Sequence, residues 1–589
     1  MRQCWLNYVP YEHGFYWWGG YGVSEEHTAY LNLQKGIMPP QSGSIKQNGK
    51  VLAEQIGGQI FSDVWGLVSP YDYQEAARLA EIAARVSHDG VAVDGGRFVA
   101  ALISAAFYGE SIKEIITHAL SVIPESSLYA NMVRDIVRFY ENDGSVEACF
   151  EYIKKNYWKD KYGGNCHIIP NAAIMIYSLL YGEGDFCRTL KIANYSGFDT
   201  DCNAGNLGTV MGVMTDLKGV DYDKWIAPLR DTTICSSVLG YENIVSIPSF
   251  TYDVFRNALR LKGERYHGKY EKAVYRDKNC KEFDFLLPKS VNGMRAENAK
   301  MENTGGEIKI TSQTPECIAF IKTYYGKDDL YDNRYDPAFS PLVYPGQTLR
   351  ADYRTEEAVV RIFCEDIHTG QRYYSPSGVK VWRMDVPKDS CIGKIGLAIQ
   401  AKPGCSVTVS LLAIEGLVDY AVDFEKEKME EYSLEHREVS QCTYYKGVWD
   451  LEDGYLTGRC LEDGQLYTSK PLGNFEMKTF MTPVIGDTMG ILFGVRGAGK
   501  QRRLIFQKGE VMLIEYQFGE EVLAREPYLL ETGKQVEIWM RNANGCLQVR
   551  INGKMIFDFP LEIRNGCVGV YVGGGSVVKL KRVDLKETL

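Results

Sequence analysis

Through the first 265 residues, apolar positions recur at spacings of three and four, the period of helices with one buried face. "YQEAARLAEIAARVSHDG" (73–90) carries Ala77, Leu79, Ala80, Ile82, Ala83 and Val86 at that spacing and ends at Gly90. "GGRFVAALISAAFYG" (95–109) is apolar nearly all round, which predicts a helix buried on most faces. "SIKEIITHALSVIP" (111–124) sets Glu114 three residues after Ser111, a capping box, and stops at Pro124. The pattern continues over 146–158 and 171–182. "DFCRTLKIANYSG" (185–197) opens on an Asp cap and ends on Gly, and a further helix rich in small residues follows it. Small residues let such helices pack closely.

After about residue 265 the period shortens to two. "GEIKITSQ" (306–313), "AVVRIFCEDI" (358–367), "GKIGLAIQAK" (393–402) and "SVTVSLLAIEG" (406–416) alternate or run β-branched between turns such as "YPGQ" and "KPGC". From about residue 441 a second series begins. "RNANGCLQVRINGKMIF" holds two Asn-Gly turns between alternating apolar residues, the strongest short hairpin signal. The chain therefore reads as multidomain: an all-α domain over 1–265, then two β-sandwich domains over 266–425 and 426–589. The middle sandwich has a jelly-roll, carbohydrate-binding-like pattern. "FEKEKMEEYSLEHREVS" (424–440) reads as a charged linker or bridging helix, and no sequence repeat links the two sandwiches.

At 589 residues the chain is too long for one hydrophobic core. A net charge of -10 without a basic cluster excludes a nucleic-acid partner held through phosphates. No apolar run is long enough to cross a bilayer, and the first residues carry no basic-then-apolar leader, so no membrane partner is expected and a cytoplasmic location is. The 15 cysteines are odd in number and without CxxC pairs, which points to free thiols in a reducing compartment. Nothing in the pattern sets an oligomeric state.

The candidate chemistry lies in "NYSGFDTDCNAGNLGTVMG" (194–212). Asp199 and Asp201 stand two apart, with Cys202 directly after. Hard divalent cations such as Mg²⁺ take oxygen ligands, and an Asp-x-Asp turn supplies two. Gly197 frees the bend before the pair, and Ala204 and Gly205 keep bulk away. An Asp here is also what an ordinary helix cap looks like.

"GFDTDCNAGNLGTVMG" resembles the C-terminal signature of the ADP-ribosylglycohydrolase family. "IGGQIFSDVWGLVSP" (56–70), "AARVSHDGVAVDGGRFVAALISAAF" (83–107) and "HIIPNAAIMIYSLLYGEGDFCRTLKIANYSGFDTDCNAG" (167–205) resemble its earlier blocks in order, over roughly residues 20–250. The resemblance implies that Asp199 and Asp201 bind magnesium, with Cys202 where many members place Thr or Ser. A thiol is a poor magnesium ligand. It implies that Gly57 and Gly58 form a loop that substrate approaches, and that His88 lies near a bound ribose. Asn171 is placed at the substrate and, with His167, behind the metal turn. Phe61 stands near where typical members carry Arg, which argues against a gripped pyrophosphate.

Family members complete the site with a Gly-Asp segment and a tandem-acid motif such as Thr-Asp-Asp near the N-terminus. Before residue 60 the acids here are Glu12, Glu25, Glu26 and Glu54, and no Asp-Asp pair precedes Asp328-Asp329. The acidic motif is thus expected to be missing: encoded upstream, supplied by a second chain, or lost, with Glu25–Glu26 a partial substitute. "WDLEDGYLTG" (449–458), "FEMKTFMTPVIGDTMGILFGVRG" (475–497) and "VRINGKMIFDFP" (549–560) resemble concanavalin-like, laminin-G-type sandwiches. The function implied is hydrolysis of a ribosyl-type (ADP-ribosyl or related) glycosidic bond with magnesium, on a small-molecule or glycan substrate. Two alternatives stand: an inactive glycan- or nucleotide-binding protein, and a furanoside hydrolase that does not act on ADP-ribose.

Overall fold

The computed structural model describes residues 2–142, 144–277, 280–330, 337–431, 437–562 and 564–589. The chain divides into two compact units. One holds residues 2–5, 17–228 and 250–275 and is helical; the other holds residues 6–16, 229–249 and 276–589 and is mostly β. Two short segments of the region expected to be helical therefore belong to the β unit. The second contains a ladder, Thr232–Ile234 against Ile244–Ser246, too short for its alternation to be read in sequence.

In the helical unit, Ile168–Gly182 is buried along its whole length and forms the centre. Val91–Ala106 lies in the same core, with nearly every residue buried. Glycine permits its closest approach to the short helix Gly57–Ile60. A Cβ on Gly96 would sit 2.4 Å from the Gly58 carbonyl oxygen, and one on Gly58 would sit 2.6 Å from that of Ala92. The close packing expected from small residues holds there. It does not extend to Gly208 and Gly212, whose missing side chains leave open space. The Ser111 capping box forms as read: Ser111 Oγ accepts from the Glu114 amide, and the Glu114 carboxylate accepts from the Ser111 amide.

The β unit contains two sandwiches. In the first, a five-stranded antiparallel sheet runs in the order Arg372–Tyr374, Val359–Asp366, Ile392–Gln400, Glu316–Lys322, Met294–Glu297. It packs on a six-stranded sheet built around Ser406–Glu415, across a core of Ile308, Ile321, Leu349, Ile362 and Leu397. The second pairs a seven-stranded sheet with an eight-stranded one centred on Phe475–Ile485 and Ser576–Glu587. Both Asn-Gly turns form, with positive φ at Asn544, Gly545, Asn552 and Gly553, the geometry of a two-residue hairpin turn.

Two expectations are corrected. Asp419–Asp423 lies before the expected boundary at 426 but hydrogen-bonds to Ser576–Glu587 of the second sandwich. The stretch 424–440 is not a bridging helix: Met429–Glu431 pairs antiparallel with Arg437–Val439, and residues 432–436 fall outside the described residues. Glu, Lys and Arg side chains along so short a ladder hide its period of two. No helix among the described residues is long and apolar enough to cross a membrane.

Candidate metal centre

Gly197 (φ 72°) and Phe198 (φ 66°) turn the chain sharply into the helix Thr200–Gly219. Glycine occupies that region freely, whereas Phe198 is held there against its preference, with its ring 5.9 Å from Trp158. Asp199 takes the N-cap position, but its carboxylate accepts no capping hydrogen bond. The ordinary-cap explanation therefore fails. The carboxylate turns instead toward Asp201 and the Cys202 and Cys166 thiols. Donor atoms of Asp199, Asp201 and Cys202 lie within 4.8 Å of one another. Burial, and then the neighbouring Asp201 carboxylate, push the Asp199 carboxyl up to about 6. Among the described residues, no Lys or Arg pairs with Asp199 or Asp201. Two crowded carboxylates without a protein cation suit a bound cation.

The helix Glu25–Gln34 carries two further acids, and the charge of Asp199 reaches one of them. Ser24 caps the helix by accepting from the His27 amide, which fixes Glu25 and Glu26 in the first turn. Both carboxyls are buried. Glu26 is raised by desolvation, with the charge of Asp199 adding to the rise. Glu26 and Asp199 also both act on the Cys166 thiol, which burial pushes up first. The structure thus brings Glu26, Asp199, Cys166 and Cys202 into one neighbourhood. Glu25 is raised to about 8 by burial and accepts from Asn48 Nδ2 at 3.1 Å.

The glycines serve the protein's own groups. A Cβ on Gly57 would lie 2.4 Å from Glu26 Oε1 and 2.8 Å from His88 Nε2, so Gly57 makes room for these two side chains. Gly58 is required by the backbone of Val91–Ala106, as described above. His88 is 1% exposed. Its Nδ1 lies 2.7 Å from Ser87 Oγ, its Nε2 has no hydrogen-bond partner among the described residues, and burial pushes its pKa down to about 3. Burial favours its neutral form, and Gly57 leaves it room beside Glu26. Phe61 is 53% exposed.

Asn171 and His167 support the turn from behind. Asn171 is fully buried; its Oδ1 accepts from Asn203 Nδ2 at 3.0 Å, and its Nδ2 donates to the His167 carbonyl at 3.1 Å. Asn203 in turn donates its backbone N–H to the Asp199 carbonyl. Protein groups engage both ends of the Asn171 amide, which lets it position the turn. His167 Nε2 lies 3.2 Å from Glu54 Oε2. A neighbouring network went unread in the sequence: Asn206 and Thr209 each donate to Asp63 at 2.6 Å, tying the metal-turn helix to Asp63–Leu67. The signal was Asn206 and Thr209 three apart on one helix face.

Residues 2–255 match the family model for ADP-ribosylglycohydrolase, a span that includes Glu25 and Glu26. An uncharacterized protein of Archaeoglobus fulgidus is 27% identical over 207 residues, 34% of this chain. The chain spans 60% of the length of that curated relative. Solved structures similar to part of the chain include a carbohydrate-binding module, CBM66, from Bacillus subtilis (14% identity, TM-score 0.23, 24% of this chain and 94% of that one). A second is a putative glycosyl hydrolase from Parabacteroides distasonis (13% identity, TM-score 0.21, 25% and 94%). A third is a Bacillus subtilis protein of unknown function with a galectin-like fold (10% identity, TM-score 0.22, 25% and 88%). The family match thus takes in residues 2–255, which include most of the helical unit together with the two short segments that belong to the β unit.

Proposed function

We propose that this protein hydrolyses a ribosyl-type glycosidic bond with the help of magnesium. The observation that carries the reading is the Asp199–Asp201 pair, released from helix capping, crowded within 4.8 Å together with Cys202, and faced by the buried Glu26. Magnesium would be held by the Asp199 and Asp201 carboxylates, and it supplies a polarised ribose oxygen or an activated water when bound. Cys202 would contribute little to a hard cation.

The remaining chemistry belongs to the chain. Burial favours the protonated form of Glu26, which suits a carboxyl that holds a proton at Oε1 or Oε2 for a departing group. His88 stays neutral at ordinary pH and confines Glu26 without adding charge. Asn171 and Asn203 hold the backbone of the metal turn. The substrate is a small molecule or a glycoconjugate. A second reading, a furanoside hydrolase that needs no ADP moiety, is favoured by Phe61, whose exposed ring replaces a phosphate-binding cation with a surface suited to stacking.

Calorimetric titration of the full chain with magnesium tests the reading, with Asp201→Ala as the control. Saturable binding that is lost in the variant is expected. Absence of binding by the parent chain would overturn the magnesium-assisted mechanism. Hydrolysis assays of ADP-ribosyl conjugates against simple furanosides then separate the two substrate readings.

A further inference from the structure

The five-stranded sheet of the first sandwich has two apolar faces. One lines the sandwich core. The other carries a separate cluster of Ile318, Phe320 and Phe363, with Ala398 packed against it. Beside this cluster lies an open trough of about 390 Å³. That volume falls in the ~300–1,000 Å³ range of small-ligand sites.

The strand register sets what the trough presents. Across four strands, Arg361, Ala398, Ile318 and Glu297 form one row, since Ala398 pairs with both Arg361 and Ile318 and Ile318 pairs with Glu297. Two residues along, Gln400 pairs with Val359 and Glu316 to form the next row. The floor is therefore apolar and low, because Ala398 sits on the central strand. The walls are polar. Gln400 Nε2 donates to Glu316 Oε1 at 3.3 Å, and Tyr374 stands at the rim, 45% exposed. Arg372 is held by Glu365 at 2.6 Å. Arg361 lines the trough and has no carboxylate partner among the described residues.

We propose that this trough binds a neutral saccharide. Donors (Arg361, Gln400) and acceptors (Glu297, Glu316, Gln400) alternate around an apolar floor, and a sugar ring needs that combination. Each hydroxyl both donates and accepts, while the C–H face rests on Ile318, Ala398 or the Tyr374 ring. The mixture of charge argues against other ligands: an anion meets Glu297 and Glu316, and a cation meets Arg361. The inference deepens the glycoconjugate reading above without resting on the metal centre.

The test uses the full chain on an array of neutral and acidic oligosaccharides, followed by calorimetry with a neutral oligosaccharide that binds. Arg361→Ala is expected to weaken binding at least tenfold, the scale of a lost hydrogen bond to a charged group. Ala398→Phe, which fills the floor, should abolish it, and Asp201→Ala should leave it unchanged. Thermal melting of each variant verifies folding, and Arg361→Ala removes an exposed side chain from a surface row, so it remains informative if Ala398→Phe does not fold. No neutral sugar bound, binding of acidic sugars alone, or binding that survives both trough variants would overturn the proposal. Loss of magnesium binding with sugar binding intact would count against the hydrolase reading only.

Discussion

The two units treat buried charge in opposite ways. In the β unit, Arg503 is almost wholly buried, yet it faces Asp463 at 3.3 Å and Glu520 at 3.4 Å and lies between the rings of Tyr516 and Tyr571 at 3.8 and 4.8 Å. Its neighbour Arg502 donates to Glu515 at 2.9 Å. These cations are answered by the chain's own groups. In the helical unit, the buried Glu25 and Glu26 and the partly buried Asp199 have raised pKa values, and Asp199 and the exposed Asp201 have no cation partner among the described residues. Buried charge that the fold neutralises serves structure. Buried charge that the fold leaves uncompensated marks a place for something from outside.

That contrast sets the sign of the expected effects. The largest falls on Arg503→Ala. Removing the guanidinium costs about 2–3 kcal/mol, chiefly from the emptied space beside the two rings, because Asp463 and Glu520 are themselves partly exposed and water screens the charges left behind. Guanidinium denaturation followed by tryptophan fluorescence should show that loss in the β unit's transition. A loss under about 1 kcal/mol would mean that Arg503 is not balanced by its neighbours as described. The next effect runs the other way. Glu26→Gln replaces a buried carboxyl by a neutral isostere, so in EDTA the helical unit should gain about 1 kcal/mol, the scale of a relieved polar burial. On the proposed magnesium site the parent should melt at a higher temperature with magnesium than in EDTA, and the same variant should lose most of that rise. If Glu26→Gln destabilises the metal-free protein, Glu26 is a structural group and the comparison breaks.

Much of this was legible in the chain. The helical period, the Ser111–Glu114 box and both Asn-Gly turns are local signals, decided within a few residues, and they formed as read. The Asp199–Asp201–Cys202 turn was legible for the same reason, since one short motif holds all three donors. What was not legible depends on distant partners. The Glu25–Glu26 pair read as a partial substitute for the missing acids, but nothing local tells that Glu26 is the member that reaches Asp199. Only folding brings it to Asp199. Gly58 looked like a loop glycine because nothing local reveals that the Val91–Ala106 backbone needs its space. The saccharide trough comes from register across separate strands, where Arg361, Ala398, Ile318 and Glu297 have no sequence adjacency. The pairing of Met429–Glu431 was hidden because charge, not alternation, dominates that stretch.

The smallest expected effect sharpens the comparison furthest from the metal turn. Asp63 is a half-buried carboxyl, pushed up to about 6 by desolvation, although Thr209 and Asn206 donate to it and pull it back down. An acid whose folded pKa lies above its unfolded value favours the protonated fold. Its contribution to stability is complete below about pH 4 and is lost as pH rises through 6. A shift of this size on a fully buried group would correspond to about 3 kcal/mol, but partial exposure screens Asp63, so about 1 kcal/mol is expected. Asp63→Asn removes the titration while retaining an oxygen for Thr209 or Asn206. The stability difference between parent and variant, measured by urea denaturation at pH 4 and pH 7, should therefore move by about 1 kcal/mol in favour of the variant at the higher pH. A difference that stays constant would mean that the two hydrogen bonds already compensate the charge. Asp63 would then behave like the answered charges of the β unit, and uncompensated burial in the helical unit would be confined to the metal turn.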